Sequence, residues 1–361
     1  MSGSLRRLAR PVAATVTRGW PKGSRLFLVG ESAGWSIDHD LLELSTIATS
    51  IGVRLADRRL LTSSAGQAAF FGSQFTLLRE PWDPPGHALG TAYFHGRPGT
   101  PGMPEFDEAY RLLCAHHDEL ARIQVTHAEM HDLVLASGMD PLKVFRIPIG
   151  VNLAHFSPQA PESRAAARSA LGLPQDAFVL GSFHKDGVGW GDGTAPKLIK
   201  GPDVLLDACA RLCARVPELH VLLSGPARGF VRAGLDALGI PYVHRRLDRY
   251  EEIGVLYAAL DAYVVPSRQE GGPKGVLEAM ASGIAVVSTR VGQAAELVRN
   301  GENGLLVDVE DADALADRLA FVAEGGGGAL VASGLETAHA HAYERQIPLW
   351  RRFFDGFVAH A

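Results

Sequence analysis

Short apolar runs alternate with amphipathic stretches along the 361 residues of the chain. In the first half, the pattern predicts strands at 25–30 and 90–96, a helix at 105–123, and a strand passing into a loop at 143–158. In the second half, it predicts strands at 178–183, 220–225, 261–267 and 285–290, and helices at 202–216, 250–260, 273–283 and 312–323. This rhythm is typical of parallel sheets covered by helices.

A polar, proline-bounded segment at 159–177 separates the two halves. We therefore predict an α/β protein with two Rossmann-like domains that face each other across a cleft, residues 1–158 and 159–338. The glycine run 325–328 predicts a flexible break, and the aromatic-rich helix after it (339–361) is expected to join the first domain. Folds of this kind usually bind their ligands in the cleft.

Composition narrows the classes of function. Hydrophobic residues make up 47% of the chain, which indicates a soluble globular protein, and a net charge of -5 gives no reason to expect nucleic acid binding. Three cysteines are too few for a disulfide framework, so the cytoplasm is the expected compartment. The basic segment 1–25 lacks the apolar core of a secretory signal. It is either a frayed terminus or a surface helix that contacts anionic lipid on the inner face of the membrane.

The stretch EGGPKGVLEAMASG, which begins at Glu270, carries the strongest chemical signal. Glu270 directly follows a predicted strand, at the edge where open parallel sheets bind ligands. Gly271 and Gly272 let the backbone approach a ligand closely, and the start of the next helix offers free N–H groups to an anion. Lys274 adds a charge there, and Glu278 lies one turn further on the same side. We therefore expect the two glutamates to hold different parts of one elongated ligand, with a phosphate between them.

Lysine usage points to the same kind of ligand. Only six of the 35 basic residues are lysines. Four of the six lie in this motif or in the glycine-rich segment after the predicted strand 178–183, namely Lys185, Lys197, Lys200 and Lys274. Since arginine is the usual cation of this chain, lysines grouped here favour point charges that bind phosphate. The alternative is that the segment GVGWGDG is only a flexible surface loop.

Two other motifs favour structural roles over metal binding. The sequence Asp-Ala-Asp at 311–313 precedes a predicted helix, where an aspartate caps free N–H groups. His127 and His131 are one helical turn apart, but the glutamate between them is misplaced for a zinc-protease helix. We expect this pair at the exposed start of a helix. No metal ion or other cofactor is expected.

The second half of the chain resembles the donor domain of retaining glycosyltransferases of family 4, which have the GT-B fold. The resemblance rests on Glu270-x7-Glu278, the EAMASG helix end, the STRVGQAAELV turn and the NGLLV strand. VFRIPIGVNLAHFSP and IKGPDVLLDACARL resemble further stretches of the family, so the likeness spans much of 120–320 and little of 1–90. It implies metal-independent transfer of a hexose-type sugar from a nucleotide sugar, with retained configuration, to a glycan, lipid-linked or small-molecule acceptor.

The resemblance also implies roles for individual residues. Glu270 would bind hydroxyls of the donor sugar, and Glu278 would bind the ribose of the nucleotide. Gly271 and Gly272 would support the sugar and the phosphates through backbone contacts. Lys200 would pair with the diphosphate.

The resemblance leaves alternatives open at two further positions, His95 and Ser182. His95, at the end of the predicted strand 90–96, resembles a first-domain histidine that faces the donor sugar, although a core histidine is the alternative. Where the family usually has an arginine that binds the diphosphate, this chain has Ser182. The charge would then come from Lys185, Lys197 or Lys274, and the sequence does not rank them.

The sequence does not identify the acceptor, and it leaves several alternative functions open. Gly34, in a polar turn at 29–40, is the single candidate for an acceptor contact. A glycosidase also uses two carboxylates, but it holds them on either side of one bond and not around the start of a phosphate-binding helix. An epimerase or sugar phosphorylase of the same fold, and a non-catalytic protein that binds nucleotide sugars, remain as alternatives.

Overall fold

The computed structural model describes residues 25–31 and 36–358. They form two compact units, one that runs up to Pro148 and resumes at Tyr343, and one that comprises Ile149–Ala342. The basic segment 1–24 and Gly34 lie outside the described residues, so the predicted lipid contact and the predicted acceptor contact stay predictions. None of the described helices is long and apolar enough to cross a bilayer.

The first unit is built on a five-stranded parallel sheet in which the strands follow their order in the chain. These strands are Leu26–Val29 (β1), Ala68–Phe71 (β2), Ala88–Tyr93 (β3), Leu120–Val125 (β4) and Val144–Arg146 (β5). Four helices of this unit come before the second unit in the chain. They are Ser36–Ser50 (α1), Gln74–Leu77 (α2), Pro104–His116 (α3) and Ala128–Ala136 (α4).

One predicted helix proves to be two elements. The stretch 105–123 is helical only as far as His116, and after a short 3-10 turn it becomes strand β4. Leu120, Ile123 and Val125 are fully buried in this strand, and the neighbouring Gln124 is buried too. The alternation of apolar and polar residues in this strand, LARIQV, covers only a few positions directly after a longer helical pattern, so the predicted helix was extended over it.

The second unit is built on a six-stranded parallel sheet in the order β11-β10-β9-β6-β7-β8. Its strands are Phe178–Ser182 (β6), Leu219–Ser224 (β7), Tyr242–Arg245 (β8), Ala262–Val265 (β9), Ala285–Thr289 (β10) and Leu305–Val307 (β11). Its helices are Pro161–Leu171 (α5), Pro202–Leu212 (α6), Gly229–Leu238 (α7), Ile253–Ala258 (α8), Lys274–Ala281 (α9), Ala294–Leu297 (α10), Ala312–Phe321 (α11) and Gly328–Ala340 (α12).

The strand order of the second sheet reverses between β6 and β9. The chain runs outward from β6 through β7 to β8, returns to β9 beside β6, and then runs outward to β11 on the other side. At such a switch point the loops after the two central strands diverge and leave a crevice at their carboxyl ends. The segments that follow β6 and β9 therefore border this crevice.

The units divide at Ile149, earlier than the predicted boundary after residue 158. The backbone N–H of Ile149 donates to Gln293 Oε1 over 2.7 Å, and Gln293 Nε2 donates back to the carbonyl of Ile149 over 2.9 Å. Phe156 is buried in the core of the second unit. These contacts attach residues 149–158 to the second unit. The sequence instead predicts that they form the loop at the end of the first domain.

The two segments that the sequence predicts as a junction and as a flexible break both adjoin helices. The predicted junction 159–177 contains α5, and α12 begins within the glycine run at Gly328. In the glycine run, Gly325 has a φ of 96°, a left-handed conformation that turns the chain between two helices and that glycine adopts without strain. A helix does not contradict the predicted junction, and the turn at Gly325 lies where the break was predicted; the flexibility of that break stays a prediction.

The C-terminal helix, Ile347–Phe354 (α13), belongs to the first unit. Its side chains Trp350, Phe353 and Phe354 are buried in the core of that unit. Phe353 packs edge-on against Phe70 of β2, with ring centroids 5.4 Å apart. The aromatic face recognised in the sequence thus covers one side of the first sheet.

An ion cluster ties α5 to the centre of the second sheet. Asp261, just before β9, accepts hydrogen bonds from Arg164 Nη2 at 2.5 Å, Arg168 Nη2 at 2.6 Å and the backbone N–H of Val179 at 2.7 Å. Arg168 is only 2% exposed. A guanidinium this deeply buried needs its carboxylate partner.

We expect Asp261→Ala to lower the free energy of unfolding by roughly 3–5 kcal/mol, because it leaves the buried guanidinium of Arg168 without a counter-charge. The control is Asp313→Ala, which removes a pair between Arg211 and a largely exposed aspartate and should cost at most about 1 kcal/mol. Urea denaturation measures both, and equal losses would contradict a special role for Asp261.

Candidate functional site

The candidate site lies at the carboxyl ends of β6 and β9. Gly201, at the start of α6, has a φ of 64°, and a Cβ there would lie 2.0 Å from the carbonyl oxygen of Pro266. Only glycine lets the two segments come this close. This contact brings the segment that carries Lys200 directly against the end of β9, where Ser267 and Glu270 follow.

Lys200 and Glu270 form an ion pair at this edge. Lys200 Nζ donates to Glu270 Oε2 over 2.7 Å, and Ser267 Oγ donates to Oε1 over 2.8 Å. The two charged side chains are 18% and 8% exposed. Burial acts to raise the pKa of Glu270, but Lys200, His184 and the two hydrogen bonds outweigh it and hold that pKa below its usual value. Glu270 is therefore an anion at neutral pH.

Two tyrosine hydroxyls hold the carboxylate of Glu278 in helix α9. Tyr250 donates to Oε1, Tyr257 donates to Oε2 over 2.9 Å, and Glu278 is only 4% exposed. Burial, followed by the charge of Glu278, raises the pKa of Tyr257 well above its usual value, so this hydroxyl keeps its proton. The sequence interpretation missed both tyrosines. Their spacing of seven residues in a predicted helix, which places them on one face, was a signal that could have found them.

Lys274 also contacts Tyr250. Its Nζ lies 5.2 Å from the centroid of the Tyr250 ring, a cation–π distance. Tyr250 thus touches both Lys274 and Glu278, the two charged residues of α9 that the sequence placed on one side. Pro273 precedes the first helical residue, and the N–H groups of the first turn follow it.

Gly271 and Gly272 both contact other parts of the second unit, and at Gly272 the packing itself favours glycine. The carbonyl of Gly271 accepts from the backbone N–H of Gln293 over 2.8 Å. A Cβ on Gly272 would lie 2.6 Å from Ile149 Cδ1. Their predicted contacts with a sugar or a phosphate stay predictions.

Ser182, where the resembling family has an arginine, is fully buried. Arg228, at the start of α7, contacts Ser182 through its guanidinium group. Its Nη1 donates to the Ser182 carbonyl over 2.5 Å, and its Nη2 donates to the Ser182 hydroxyl over 3.1 Å. The Nε atom of Arg228 lies 3.0 Å from Asp186 Oδ1, and both side chains are buried. The guanidinium therefore stabilises the loop after β6, with Asp186 as its counter-charge.

The glycine-rich segment after β6 is folded against the start of α7. Its two arms are joined by a hydrogen bond from Val188 N–H to the Ala195 carbonyl over 2.9 Å, and Gly229 N–H donates to the Asp192 carbonyl over 2.6 Å. A Cβ on Gly193 would lie 2.2 Å from the carbonyl oxygen of Ala227. These contacts anchor both ends of the stretch GVGWGDG, while residues 188–192 between them are exposed at the surface; the phosphate-binding role and the alternative of a flexible surface loop both stay open.

The other two lysines near this segment, Lys185 and Lys197, contact other parts of it. Lys185 Nζ lies 4.3 Å from the ring centroid of Trp190, an indole that is 61% exposed. Lys197 is half-buried, and its backbone N–H donates to the carbonyl of Asp186 over 2.7 Å. The structure thus brings only Lys200, among the four lysines, into direct contact with Glu270.

His95 lies in the first unit, two residues after the end of β3. Its ring packs edge-on against Phe106 and Phe75, with centroid distances of 5.4 and 5.7 Å. The Nε2 atom of Gln74 donates to the backbone carbonyl of His95. These contacts fix the half-buried ring at the carboxyl edge of the first sheet, and its predicted contact with the donor sugar stays a prediction.

The remaining motifs have structural roles. Asp311 Oδ1 accepts from the N–H of Ala314 over 2.8 Å, which confirms the predicted helix cap. His127, predicted to be exposed, is only 3% exposed, and its Nδ1 lies 2.9 Å from Thr126 Oγ1. The predicted position at a helix start is confirmed, because His127 immediately precedes α4. Its predicted exposure was wrong, because only the buried Thr126 separates it from the buried strand β4.

Fold and site together define the class of protein, a GT-B fold with two parallel-sheet units, as the sequence predicted. The structure is similar to that of Anabaena HepE in complex with UDP and glucose, with a TM-score of 0.68 at 16% identity over 90% of this chain and 98% of that chain. It is also similar to sucrose-phosphate synthase from Thermosynechococcus elongatus, with a TM-score of 0.69 at 20% identity over 92% of this chain and 100% of that chain.

Sequence comparison is more specific. Residues 193–324 match the family model described as Glycosyl transferases group 1. The D-inositol 3-phosphate glycosyltransferase of Corynebacterium urealyticum is 33% identical over 208 residues, 54% of this chain and 46% of that protein. The protein of the same name from Corynebacterium diphtheriae is 32% identical over 260 residues, 67% of this chain and 58% of that protein. The chain spans about half the length of the curated relatives it matches.

The Lys200–Glu270 pair predicts a pH dependence of stability. In the wild type the pKa of Glu270 is lowered, so its contribution to stability is present above the usual carboxyl pKa and is lost as the pH falls. In Lys200→Met, burial should instead raise that pKa, and ionising Glu270 then costs stability as the pH rises. The stability gap between wild type and variant should therefore grow from about pH 4 to about pH 8.

Urea denaturation at a series of pH values measures this gap. The control is Lys200→Met combined with Glu270→Gln, which removes the titrating group and should remove the growth of the gap. A gap that is the same at every pH for Lys200→Met alone would show that the pair does not set the charge state of Glu270.

Proposed function

We propose that this protein is a retaining glycosyltransferase, independent of metal, that moves a hexose-type sugar from a nucleotide sugar to a glycan, lipid-linked or small-molecule acceptor. The observation that carries the proposal is the placement of Glu270, Lys200 and Glu278 at the switch point of the second sheet, beside the start of α9. The GT-B fold and the likeness to group 1 glycosyltransferases support the same class.

The donor site follows from the charges around α9. Glu278 would accept hydrogen bonds from the ribose hydroxyls of the nucleotide, and such bonds to a carboxylate are strong. Because Tyr250 and Tyr257 already donate to Glu278, a ribose hydroxyl would replace or share one of these bonds. Glu270 would accept from hydroxyls of the sugar, while Gly271 and Gly272 would offer backbone contacts between the two ends.

The leaving diphosphate gains negative charge as its bond to the anomeric carbon breaks. Lys200 and Lys274, together with the start of α9, would stabilise that charge. One preorganised donor of this kind is worth roughly 2.7–4 kcal/mol in the transition state. Lys185 and Lys197 are further candidates for the charge that an arginine supplies in the resembling family. No step in this scheme requires a metal ion.

Retention of configuration requires the acceptor hydroxyl to attack the anomeric carbon from the side that the diphosphate leaves. The new bond joins the acceptor oxygen to that carbon, and the hydroxyl proton leaves with the diphosphate. His95 is proposed to contact the donor sugar, and Gly34 is proposed to contact the acceptor. Because the curated relatives are named for D-inositol 3-phosphate, a phosphorylated polyol is the first acceptor to assay.

Nucleotide binding tests the donor site. We expect one of UDP, GDP, ADP and dTDP, or one of their sugar conjugates, to raise the melting temperature, since a ligand at 100 times its dissociation constant adds about 2.7 kcal/mol. Glu278→Ala should lose this shift. Glu302→Ala, which changes an exposed glutamate paired with Arg299, should keep it. No shift with any nucleotide in the wild type would contradict the proposal.

Transfer of labelled sugar tests the activity. Glu270→Ala should reduce the transfer rate by about 100-fold or more, because it removes contacts to the reacting sugar and leaves Lys200 without its partner. An unchanged rate would show that Glu270 lies outside the active site. Conversion of the donor without any acceptor would indicate an epimerase, and a requirement for free phosphate would indicate a phosphorylase.

A further inference from the structure

Arg268 lies two residues before Glu270 and has no role in the scheme above. Its guanidinium donates hydrogen bonds to three other residues of the second unit. Nη1 and Nη2 donate to the two carboxylate oxygens of Asp203 over 2.8 and 2.7 Å, and Nη1 also donates to the carbonyl of Leu198 over 2.8 Å. Nε donates to Glu310 Oε1 over 2.5 Å. Arg268 therefore joins the loop after β9 to the start of α6 and to the turn just before it.

The backbone of Arg268 contacts the same turn, which is the 3-10 turn Leu198–Lys200. The N–H of Arg268 donates to the carbonyl of Ile199 over 2.8 Å, and the next N–H, that of Gln269, donates to the same carbonyl over 3.1 Å. Bonds from the side chain and the backbone of one arginine thus reach two of the three carbonyls in this turn. The turn that ends at Lys200 is therefore held to the loop after β9.

The contacts with Asp203 and Leu198 require an arginine. A guanidinium is planar, and its parallel N–H groups match the two oxygens of a carboxylate, whereas a lysine offers a single ammonium group. The hydrogen bond from Arg268 holds the pKa of Asp203 below its usual value, so both partners are charged at neutral pH. The two side chains are 24% and 38% exposed. Pairs this exposed add little to stability, so the effect of this pair should be sought in the position of the turn.

We propose that Arg268 is a positioning residue for the candidate site. By binding Asp203 and the Leu198 carbonyl together, it fixes the backbone of Lys200 and thereby sets where the Lys200 ammonium group lies relative to Glu270. This first part concerns the protein without a ligand. A second part rests on the proposed function: the same contacts hold Lys200 in place while its ammonium group stabilises the departing diphosphate.

The second part follows from the donors that Lys200 has. Its ammonium group carries three N–H bonds, and one of them donates to Glu270. In the proposed scheme another would bind the diphosphate as its negative charge grows. Because the four-carbon stem of a lysine is flexible, the ammonium group stays aligned only if the backbone beneath it is fixed. A displacement of about 1 Å can lower a rate by roughly 100-fold.

A double-mutant cycle tests the first part without any ligand. Urea denaturation of Lys200→Met, Glu270→Gln and the double variant at neutral pH gives the coupling between the two side chains. We expect this coupling to fall by about half or more when the cycle is repeated in the Arg268→Lys background, because the ammonium group is no longer held in place. An unchanged coupling would overturn the proposal, even if Arg268→Lys lowers stability.

Two further variants complete this test. Asp203→Asn removes the counter-charge of Arg268 without altering the loop after β9, so it should lower the coupling in the same direction. It decides the matter alone if Arg268→Lys does not fold, as melting temperatures will show. The matched control is Arg290→Lys. Arg290 directly follows β10 of the same sheet, and its Nε lies 3.2 Å from Oδ1 of the exposed Asp308. This control should leave the coupling unchanged, and an equal loss there would overturn the role of Arg268.

Transfer of labelled sugar tests the second part, with the nucleotide sugar that gives the largest thermal shift. Arg268→Lys should lower kcat by about 10–100-fold, while the KM for the donor rises by less than about threefold. Arg290→Lys should change neither. A reduced coupling with an unchanged kcat overturns the second part and leaves the first part and the proposed function standing. A wild type that transfers no sugar overturns the proposed function and the second part, while the cycle still decides the first.

Discussion

The ion pair between Lys200 and Glu270 is the interaction on which the candidate site depends. A carboxylate this deeply buried stays charged only beside a cation, and Lys200 reaches it because Gly201 lets the start of α6 pass within contact of the end of β9. The pair fixes one anion and one cation at the switch point before any ligand arrives. In the proposed mechanism, Lys200 would use this position to stabilise the departing diphosphate.

A second network holds the other end of the site. Tyr250 contacts both Lys274 and Glu278, and Tyr257 holds the second oxygen of Glu278. Both glutamates thus accept hydrogen bonds from hydroxyl or ammonium groups of the protein, the same kinds of donor that a sugar and a ribose offer. A nucleotide sugar that enters would exchange hydrogen bonds with these groups and would not need to desolvate a bare charge.

The sequence predicted features that depend on local patterns. The β–α rhythm, the helix after Glu270 and the cap at Asp311 all follow from residues close together in the chain. The misassigned stretch 105–123 has a local reason as well: β4 is a short strand that follows a longer helix after only one 3-10 turn, so its pattern was read as part of that helix. The pairing of Lys200 with Glu270, and of Arg228 with Ser182, joins residues 70 and 46 positions apart. Such contacts depend on strand order, which periodicity does not specify.

The most direct measurement is a crystal structure with the nucleoside diphosphate that gives the largest thermal shift. The account predicts the ribose hydroxyls on Glu278, with at least one tyrosine contact exchanged, and the diphosphate at the start of α9 within hydrogen-bond distance of Lys200. A nucleotide bound elsewhere, while Tyr250 and Tyr257 still hold Glu278 and Lys200 stays on Glu270, would contradict it.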